Sequence, residues 1–333
     1  MRPMRFTPDD RGVVLIALLW ILMALSVVAL SFSRESFVEI AVARNTRDLS
    51  DGYYVARAGV ADAIFQLITR RFFPRVKQLE LQGPPDPIDL GRLTGRFGDG
   101  IYEVEIQDES GKINLNLVAE DQLRRLIEVI GIEKPDSDII ADSILDWRDV
   151  DNGHHPNGAE DDFYQTLNPP YRAKNGRFDT VEELLLVRGV TADYFYGHAE
   201  KSPDGAVNYK YGLSRCLTVY SASAPSVNVN YAPPPVLMSI PGMTIEIAQA
   251  IVQQRAVKPF VNPADLSQIL RTTVEGNMSR FLSTNPTGVY TLTASGRREG
   301  SKVRRIIRAV VQLDRREPTM NRIVYWNENV PNL

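Results

Sequence analysis

Carboxylates crowd one short stretch of this chain. Residues 133–166 carry ten acidic and two basic side chains. Asp146, Asp149, Asp151, Glu160, Asp161 and Asp162 lie on or beside a loop that contains Gly153 and Gly158. Alternating carboxylates on a glycine-bearing loop suit a hard divalent cation, which gathers about six to eight oxygens. Counted from Asp149, Asp151 is third and Glu160 twelfth, as in an EF-hand. The fifth and sixth places are Gly153 and His154, where that loop needs an oxygen ligand and a glycine, so an EF-hand is excluded. Asp149, Asp151, Glu160, Asp161 and Asp162 are therefore candidate calcium ligands of another geometry, beside the plainer reading of a solvated acidic loop. His154-His155 raises a transition ion, although adjacent histidines in a loop seldom reach one ion. Asp146, Asp149 and Glu160 could pair as acid and base of a hydrolase. No nucleophile, oxyanion hole or cofactor loop accompanies them, so no catalytic residue is assigned and an enzyme is not expected.

A second motif is Ile240-Pro241-Gly242-Met243, set between two apolar-periodic segments in the manner of a helix-hairpin-helix. DNA-binding versions hold a phosphate with hairpin N–H groups and nearby Lys or Arg. Met243, Thr244 and Glu246 open the second helix here, and basic residues are few, so a structural hairpin is favoured. The whole chain has 38 Lys and Arg against 41 Asp and Glu, which leaves no basic footprint, and nucleic acid is not expected as a partner. Val187-Arg188-Gly189-Val190 is a fainter copy of the turn. Cys216 is the single cysteine, so no intrachain disulfide can form. Long repeats are absent.

These residues must be positioned by a chain that begins unusually. Residues 13–33 hold no charge, enough to span a bilayer as one helix. Arg2, Arg5 and Arg11 precede the run, which sets a cytoplasmic N-terminus. The segment reads as a cleaved signal peptide, an ordinary signal anchor, or a short leader ending in Gly12 before a retained helix. The first is disfavoured because the apolar core is long and no small-x-small cleavage site follows. Val38, Val42, Leu49, Tyr53, Ala56, Val60, Ile64 and Leu67 continue as a helical stripe, so one helix over 13–71 would be about 90 Å long. Gly83–Pro87 ends it. Residues 101–117 predict a β-hairpin, 119–213 an all-α insertion, and 290–296 with 303–314 two further strands of one antiparallel sheet packed on the long helix. The fold class is α+β.

With those pieces in hand, the chain resembles the K-type minor pseudopilins of type II secretion. The carriers are Arg11-Gly12 before the apolar helix, Asp108–Asn116, Ile144–Asp151, Gly158–Tyr164, Asn168–Tyr171, Glu182–Val190 and Val227–Ala232, in that order. The resemblance implies a leader at 1–12, a transmembrane segment at 13–33 and a pilin-like α/β domain over 34–118 and 214–317. It places the inserted, SAM-like α-domain at 119–213, a helix-hairpin-helix at 234–256 and a tail at 318–333. It implies cleavage by prepilin peptidase after Gly12 and methylation at Val13. Most pseudopilins carry Glu as the fifth mature residue; here it is Ala17, which suits the end of a filament. The resemblance further implies calcium in the α-rich region, I- and J-type minor pseudopilins and the major pseudopilin as partners, and contact with inner-membrane lipid. The protein would cross the inner membrane once, with its C-terminal domain in the periplasm. Its work would be to start or cap a filament that exports folded proteins. The alternative is a membrane-anchored helix-hairpin-helix DNA-binding protein of an uptake or type IV pilus-like machine.

Overall fold

The protein is described by a computed structural model that covers residues 8–73, 91–201, 207–209, 211–221, 225–262, 264–266 and 278–330. Residues 1–7 of the expected leader and the Gly83–Pro87 turn lie outside the described residues. Helix α1 runs unbroken over Pro8–Phe72, 65 residues, or about 100 Å at 1.5 Å per residue. From Val14 to Arg47 every residue except Ser36 is exposed. Beyond that point α1 lies on a five-stranded antiparallel meander: β1 (Arg92–Phe97), β2 (Gly100–Asp108), β3 (Val289–Arg298), β4 (Arg304–Leu313) and β5 (Asn321–Asn327), in that order across the sheet.

Only the C-terminal part of the predicted stripe meets the sheet. Ala56, Val60 and Leu67 are buried with Val55 and Ala63, against Val104, Leu292, Ala294, Ile307 and Ala309. Val38, Val42 and Leu49 stay exposed. Small residues bring the two layers close. A Cβ on Gly296 would lie 2.2 Å from Ala56 N and 2.4 Å from Gly52 O, and one on Gly59 would lie 2.9 Å from the Tyr102 ring. Tyr102 donates its hydroxyl to Asp62 at 2.7 Å, and Ser301 donates to Asp48 at 2.7 Å. These bonds fix the helix in register along the strands.

Three expectations are corrected. Residues 101–117 do not form a hairpin. Asp108 caps a 3-10 turn over Glu109–Gly111, and Ile113–Asn114 then pairs in parallel with Leu217–Thr218. The free edge of β2 is taken by β3, with Asp108 opposite Tyr290. The expected tail contains β5, which closes the sheet edge against β4 through a bulge at Val310/Val311. Finally, the α-rich part does not stop at residue 213. One apolar core extends from Ile113 to Phe281, separate from the core beneath α1. The hairpin at 234–256 belongs to it, because Leu237, Ile240, Met243 and Ile251 are buried there. The insertion thus joins β2 to β3.

That insertion is built twice. Asn114 and Asn228 each accept at Oδ1 from the backbone N–H two residues on, at 2.9 and 3.1 Å. Asn116 clasps the backbone of Phe178, donating to its carbonyl at 2.9 Å and accepting from its N–H at 2.8 Å; Asn230 does the same to Phe260 at 2.9 and 2.8 Å. Two 13-residue helices, Asp136–Arg148 and Ile245–Val257, send Arg148 and Arg255 to the carbonyls of Leu115 and Val229 at 2.8 and 2.7 Å. Gly131 (φ 91°) and Gly242 (φ 82°) make the turns before those helices, a backbone region that favours glycine. Glu183 accepts from Asp179 and Thr180 N–H as Asp265 does from Val261 and Asn262. Each copy closes on a parallel pair, Ile113–Asn114 with Leu217–Thr218 and Val227–Asn228 with Leu282–Ser283. Between the helix and the clasped phenylalanine the copies differ. The first inserts the acidic loop between Arg148 and Phe178, and the second passes almost directly from Arg255 to Phe260.

Gly296→Ala is expected to destabilise the protein by about 2–4 kcal/mol, since backbone atoms cannot yield to the added methyl. Gly176→Ala, whose Cβ would meet nothing nearer than 3.7 Å, is expected to stay within about 0.5 kcal/mol of the parent. Thermal melts of the two variants would check this; equal losses would refute the close-approach account.

Candidate divalent-cation site

The helix Asp136–Arg148 buries Ile140, Ile144 and Trp147 in the α-rich core. Asp146, on the same inward side, is fully buried. Asp149 ends the helix in extended conformation, and the chain then loops out and returns at Glu160, which is 2% exposed. One oxygen each of Asp146 and Asp149 and a ring nitrogen of His155 lie within 4.8 Å of one another. Glu160 faces the same group, and the charges of Asp146 and Asp149 act on it directly. The loop returns tightly enough that a Cβ on Gly158 would lie 1.8 Å from Asp146 Oδ2. Beneath is an aromatic floor. Trp147 packs edge-on against Tyr164 at 5.2 Å, and Tyr164 stacks on Tyr171 at 5.3 Å.

Several groups hold the loop's return. Asp142 accepts from Asn157 through backbone N–H (2.9 Å) and Nδ2 (3.0 Å), and also pairs with Arg124. Asp146 Oδ1 accepts from His155 N–H at 3.0 Å and touches the His155 ring Nδ1. Arg188 donates to the Gly158 carbonyl at 3.0 Å, and Asn175 to the Asp151 carbonyl at 3.1 Å.

What these bonds leave over points to a cation. Neither oxygen of Glu160, nor Asp146 Oδ2, nor Asp149 Oδ1 receives a hydrogen bond, although all are buried. Buried carboxylates without partners are costly, and here they face one another. Burial, then the charges of Asp146 and Asp149, push the Glu160 carboxyl up to about 7. Burial and the neighbouring Asp151 likewise raise Asp149. Burial alone would lower His155, but the Asp146 carboxylate outweighs it and raises the imidazole. A divalent cation among these oxygens supplies the missing charge, so the residues present fit calcium as a class of ligand.

The expected ligands divide. Asp149 and Glu160 stand in the cluster. Asp151 lies at its edge, accepting from Gly153 N–H at 2.8 Å while its charge still acts on Asp149 and Glu160. Asp161 accepts from Ala173 N–H at 2.8 Å, and Asp162 is exposed and pairs with His154 at 3.2 Å; both point away. Asp146 and His155 belong to the cluster but were not among the expected calcium ligands. The readable signal for Asp146 was its place one helical turn before Asp149. The two histidines take different partners, so their adjacency is no bar to one of them serving an ion.

The hairpin carries little charge. Thr244 caps Ile245–Val257, Glu246 sits in its first turn, and Arg255 is turned inward onto the Val229 and Ala232 carbonyls at 2.7 Å each. Gly12 and Val13, the residues expected to be processed, lie within the span of α1, and Ala17 is exposed on it.

Comparison with known proteins follows the same two-part plan. Two family models described as type II secretion system protein K match, over residues 105–196 and 227–283, one within each copy of the inserted unit. Type II secretion system protein K of Pectobacterium carotovorum is 30% identical over 185 residues, 51% of this chain and 50% of that protein. The Pseudomonas aeruginosa protein K is 27% identical over 300 residues, 83% of this chain and 82% of that protein. A chain of the GspK–GspI–GspJ complex from the enterotoxigenic Escherichia coli type 2 secretion system shares the fold, with a TM-score of 0.59 and 16% identity over 85% of this chain and 98% of that one.

In ion-free protein the native state binds the Glu160 proton up to about pH 7, whereas the unfolded chain releases it near 4.5. Stability contributed by that proton is lost as pH rises through this window. Glu160→Gln is therefore expected to stabilise the ion-free protein at pH 8, by about 1–3 kcal/mol, and to change little at pH 4. Denaturant melts at the two pH values measure it, and a gain of equal size at both would contradict the assignment.

Proposed function

The chain belongs to the type II secretion system protein K family, and from that premise we propose that it is a minor pseudopilin standing at the tip of the pseudopilus. One observation carries the reading. Among the described residues, the exposed length of α1 from Val14 to Arg47 packs on no other part of the chain, while the inserted unit occupies the opposite end of the helix. Gly100, at the start of β2, meets Val55. The strand then runs toward the far end of α1, where Gly288 meets Arg71 and Asp108 pairs with Tyr290. The duplicated unit leaves the sheet there, away from the membrane-spanning end. Lipid or sibling helices must cover the lower stalk, and a bulky unit at the top obstructs any subunit stacked above.

Ala17 agrees with this. A neighbouring terminal ammonium would find no carboxylate at that place, which costs nothing to a subunit with no neighbour above it. The partners are then the I- and J-type minor pseudopilins beside it, with the major pseudopilin below. The fold shared with a chain of a GspK–GspI–GspJ complex supports that choice. On this reading prepilin peptidase removes residues 1–12 and Val13 becomes the methylated N-terminus. The domain faces the periplasm, and assembly of the tip initiates the filament that moves folded proteins across the outer membrane. The acidic loop holds calcium through Asp146, Asp149, Asp151 and Glu160, which ties the ends of a 149–160 excursion that otherwise repels itself. The turn at 240–243 acts as a structural helix-hairpin-helix, with Arg255 of its second helix committed internally.

Co-expression of the full chain with its I- and J-type siblings, followed by purification in detergent, is expected to yield a ternary complex; recovery of the siblings together without this chain would refute the tip assignment. Gly12→Ala is expected to keep the leader, with electrophoretic mobility matching a peptidase-null strain. Wild-type mobility that is unchanged in that strain would count against processing. Millimolar Ca²⁺ is expected to raise the melting temperature of the chelator-treated protein, and Asp151→Ala to remove most of the rise. No shift in the parent would refute the calcium reading.

A further inference from the structure

The end of the sheet nearest the apolar stalk is strongly basic. The β1–β2 and β3–β4 turns lie side by side there, next to Asp48 and Val55 of α1. Glu299 N–H donates to the Asp99 carbonyl at 2.9 Å and ties one turn to the other. Residues 96–99 and 296–305 hold six basic side chains and two acidic ones, a net +4. The adjoining helix turn, 44–51, has two Arg and two Asp and adds no net charge. The acidic loop belongs to the unit at the opposite end, so charge is polarised along α1. Leu292, Ala294 and Gly296 of β3 face the helix, which turns Arg297 to the other face of the sheet. It stands there directly opposite Arg304, with Arg96 in the same row through Ile101. Like charges directly opposite weaken a strand pair. Glu299 takes Arg96, and Asp48 takes Arg298 at 3.7 Å. Among the described residues Arg297 and Lys302 have no ion-pair partner. Phe97, beside Arg96, is 57% exposed. A Cβ on Gly98 or Gly300 would meet nothing within 4 Å, so the tips of both turns are bare.

We propose that these two turns dock on anionic phospholipid headgroups of the leaflet from which the stalk emerges, with Arg297 and Lys302 as phosphate contacts and Phe97 in the interface. This rests on the reading of residues 13–33 as a bilayer span. Position favours lipid over a sibling's acidic surface, because the helix that carries the turns is the one that enters the bilayer. Asp48 lies 15 residues beyond Ser33, about 22 Å along an upright helix. The headgroup layer is about 5–8 Å deep on each side, so an upright stalk holds the turns clear of it. The sheet lies to one side of α1, and a lean toward that side lowers the turns. Membrane helices lean by up to about 40°, which brings the turns to about 10 Å from the hydrocarbon edge. Long Arg and Lys side chains extend from there to the headgroups. Phe37, Val38, Ile40 and Val42, exposed on the intervening helix, move toward the interface with the same lean. Basic side chains beside an aromatic ring are the composition that surfaces of anionic lipid hold.

The test uses the full chain in nanodiscs of phosphatidylcholine alone or mixed with phosphatidylglycerol. A donor dye is placed by Thr94→Cys, an exposed position on β1, the native Cys216 being buried. An acceptor is carried on the lipid headgroups. Energy transfer is expected to be about twofold higher in the anionic discs. It is expected to fall to the neutral-lipid value in Arg297→Glu/Lys302→Glu and at high salt, and Phe97→Ser is expected to remove part of the gain. Thermal melts check that these exposed substitutions leave the fold intact, and the milder pair Arg297→Gln/Lys302→Gln is expected to give an intermediate transfer. Equal transfer in the two lipids, or a gain that survives charge reversal, would overturn the proposal. Equal transfer together with loss of sibling co-purification on charge reversal would assign the basic end to an acidic protein surface instead. A chain that enters discs of neither lipid would sink the bilayer reading and this proposal with it, whereas entry without a lipid-dependent difference sinks the proposal alone.

Discussion

At Gly296 the sheet and the long helix touch backbone to backbone, and much of the molecule's layout depends on that contact. Helix α1 has to serve two surroundings along one axis. Its upper part must bury an apolar face against strands, and its lower part must remain free for lipid or for other helices. The division occurs at Asp48, the first buried residue along the helix. Above it, Gly52, Ala56 and Gly59 let the sheet approach closely, and the pairing of Asp62 with Tyr102 sets the axial position. Below it, no contact with the other described residues covers the apolar side chains. The hydrophobic effect then acts between molecules, because the chain has no core of its own to offer there.

A second set of contacts joins the inserted unit to this frame. Glu109 and Lys112 form a buried pair, and Thr291 of β3 donates to Glu109 at 2.6 Å. Burial works to raise the Glu109 carboxyl, but Lys112 and the surrounding hydroxyls outweigh it and hold it ionised. Such a pair specifies position more surely than it stabilises, since each charge is costly without the other. On the outer side Arg308 of β4 reaches Glu182 at 2.8 Å. The adjacent Glu183 takes Lys174 at 2.7 Å, and Lys174 lies on the segment leading out of the acidic loop. Neighbouring glutamates thus hold the sheet on one side and the segment leaving the loop on the other.

The helix, its stripe and the β3–β4 pair were legible because each repeats a simple period over many residues. Edge strands were not. Arg92–Phe97 has no apolar alternation and is mostly exposed, so β1 is held by its partner's hydrogen bonds rather than by a buried face. Asn321–Asn327 sits beyond a turn that reads as the start of a tail. The duplication escaped for a different reason. What the copies share is asparagine, arginine and carboxylate contacts to backbone, scattered across long separations, while the apolar residues between them are freely exchanged. At the candidate site the carboxylates were obvious and their convergence was not. Five were expected as ligands. The fold gathers Asp149 and Glu160, leaves Asp151 at the edge, turns Asp161 and Asp162 to other tasks, and adds Asp146 from the helix and His155 from the loop.

The two copies make the acidic loop interpretable. In the second, the arginine in the helix's last turn lies close in sequence to the phenylalanine clasped by asparagine, and the turn closes with no carboxylate on the way. The first reaches the same clasp between Asn116 and Phe178, at nearly the same distances. The shared framework thus needs no loop to fold. What the loop adds is a set of buried carboxylates whose mutual repulsion opposes their own placement, against an apolar aromatic floor that makes each unpaired charge more costly. Asp142, Arg188 and Asn175 hold the excursion closed but leave the carboxylate oxygens at its centre without donors. That opposition is what the cation proposed for this loop would balance, and the twin copy, without the carboxylates, has none to balance.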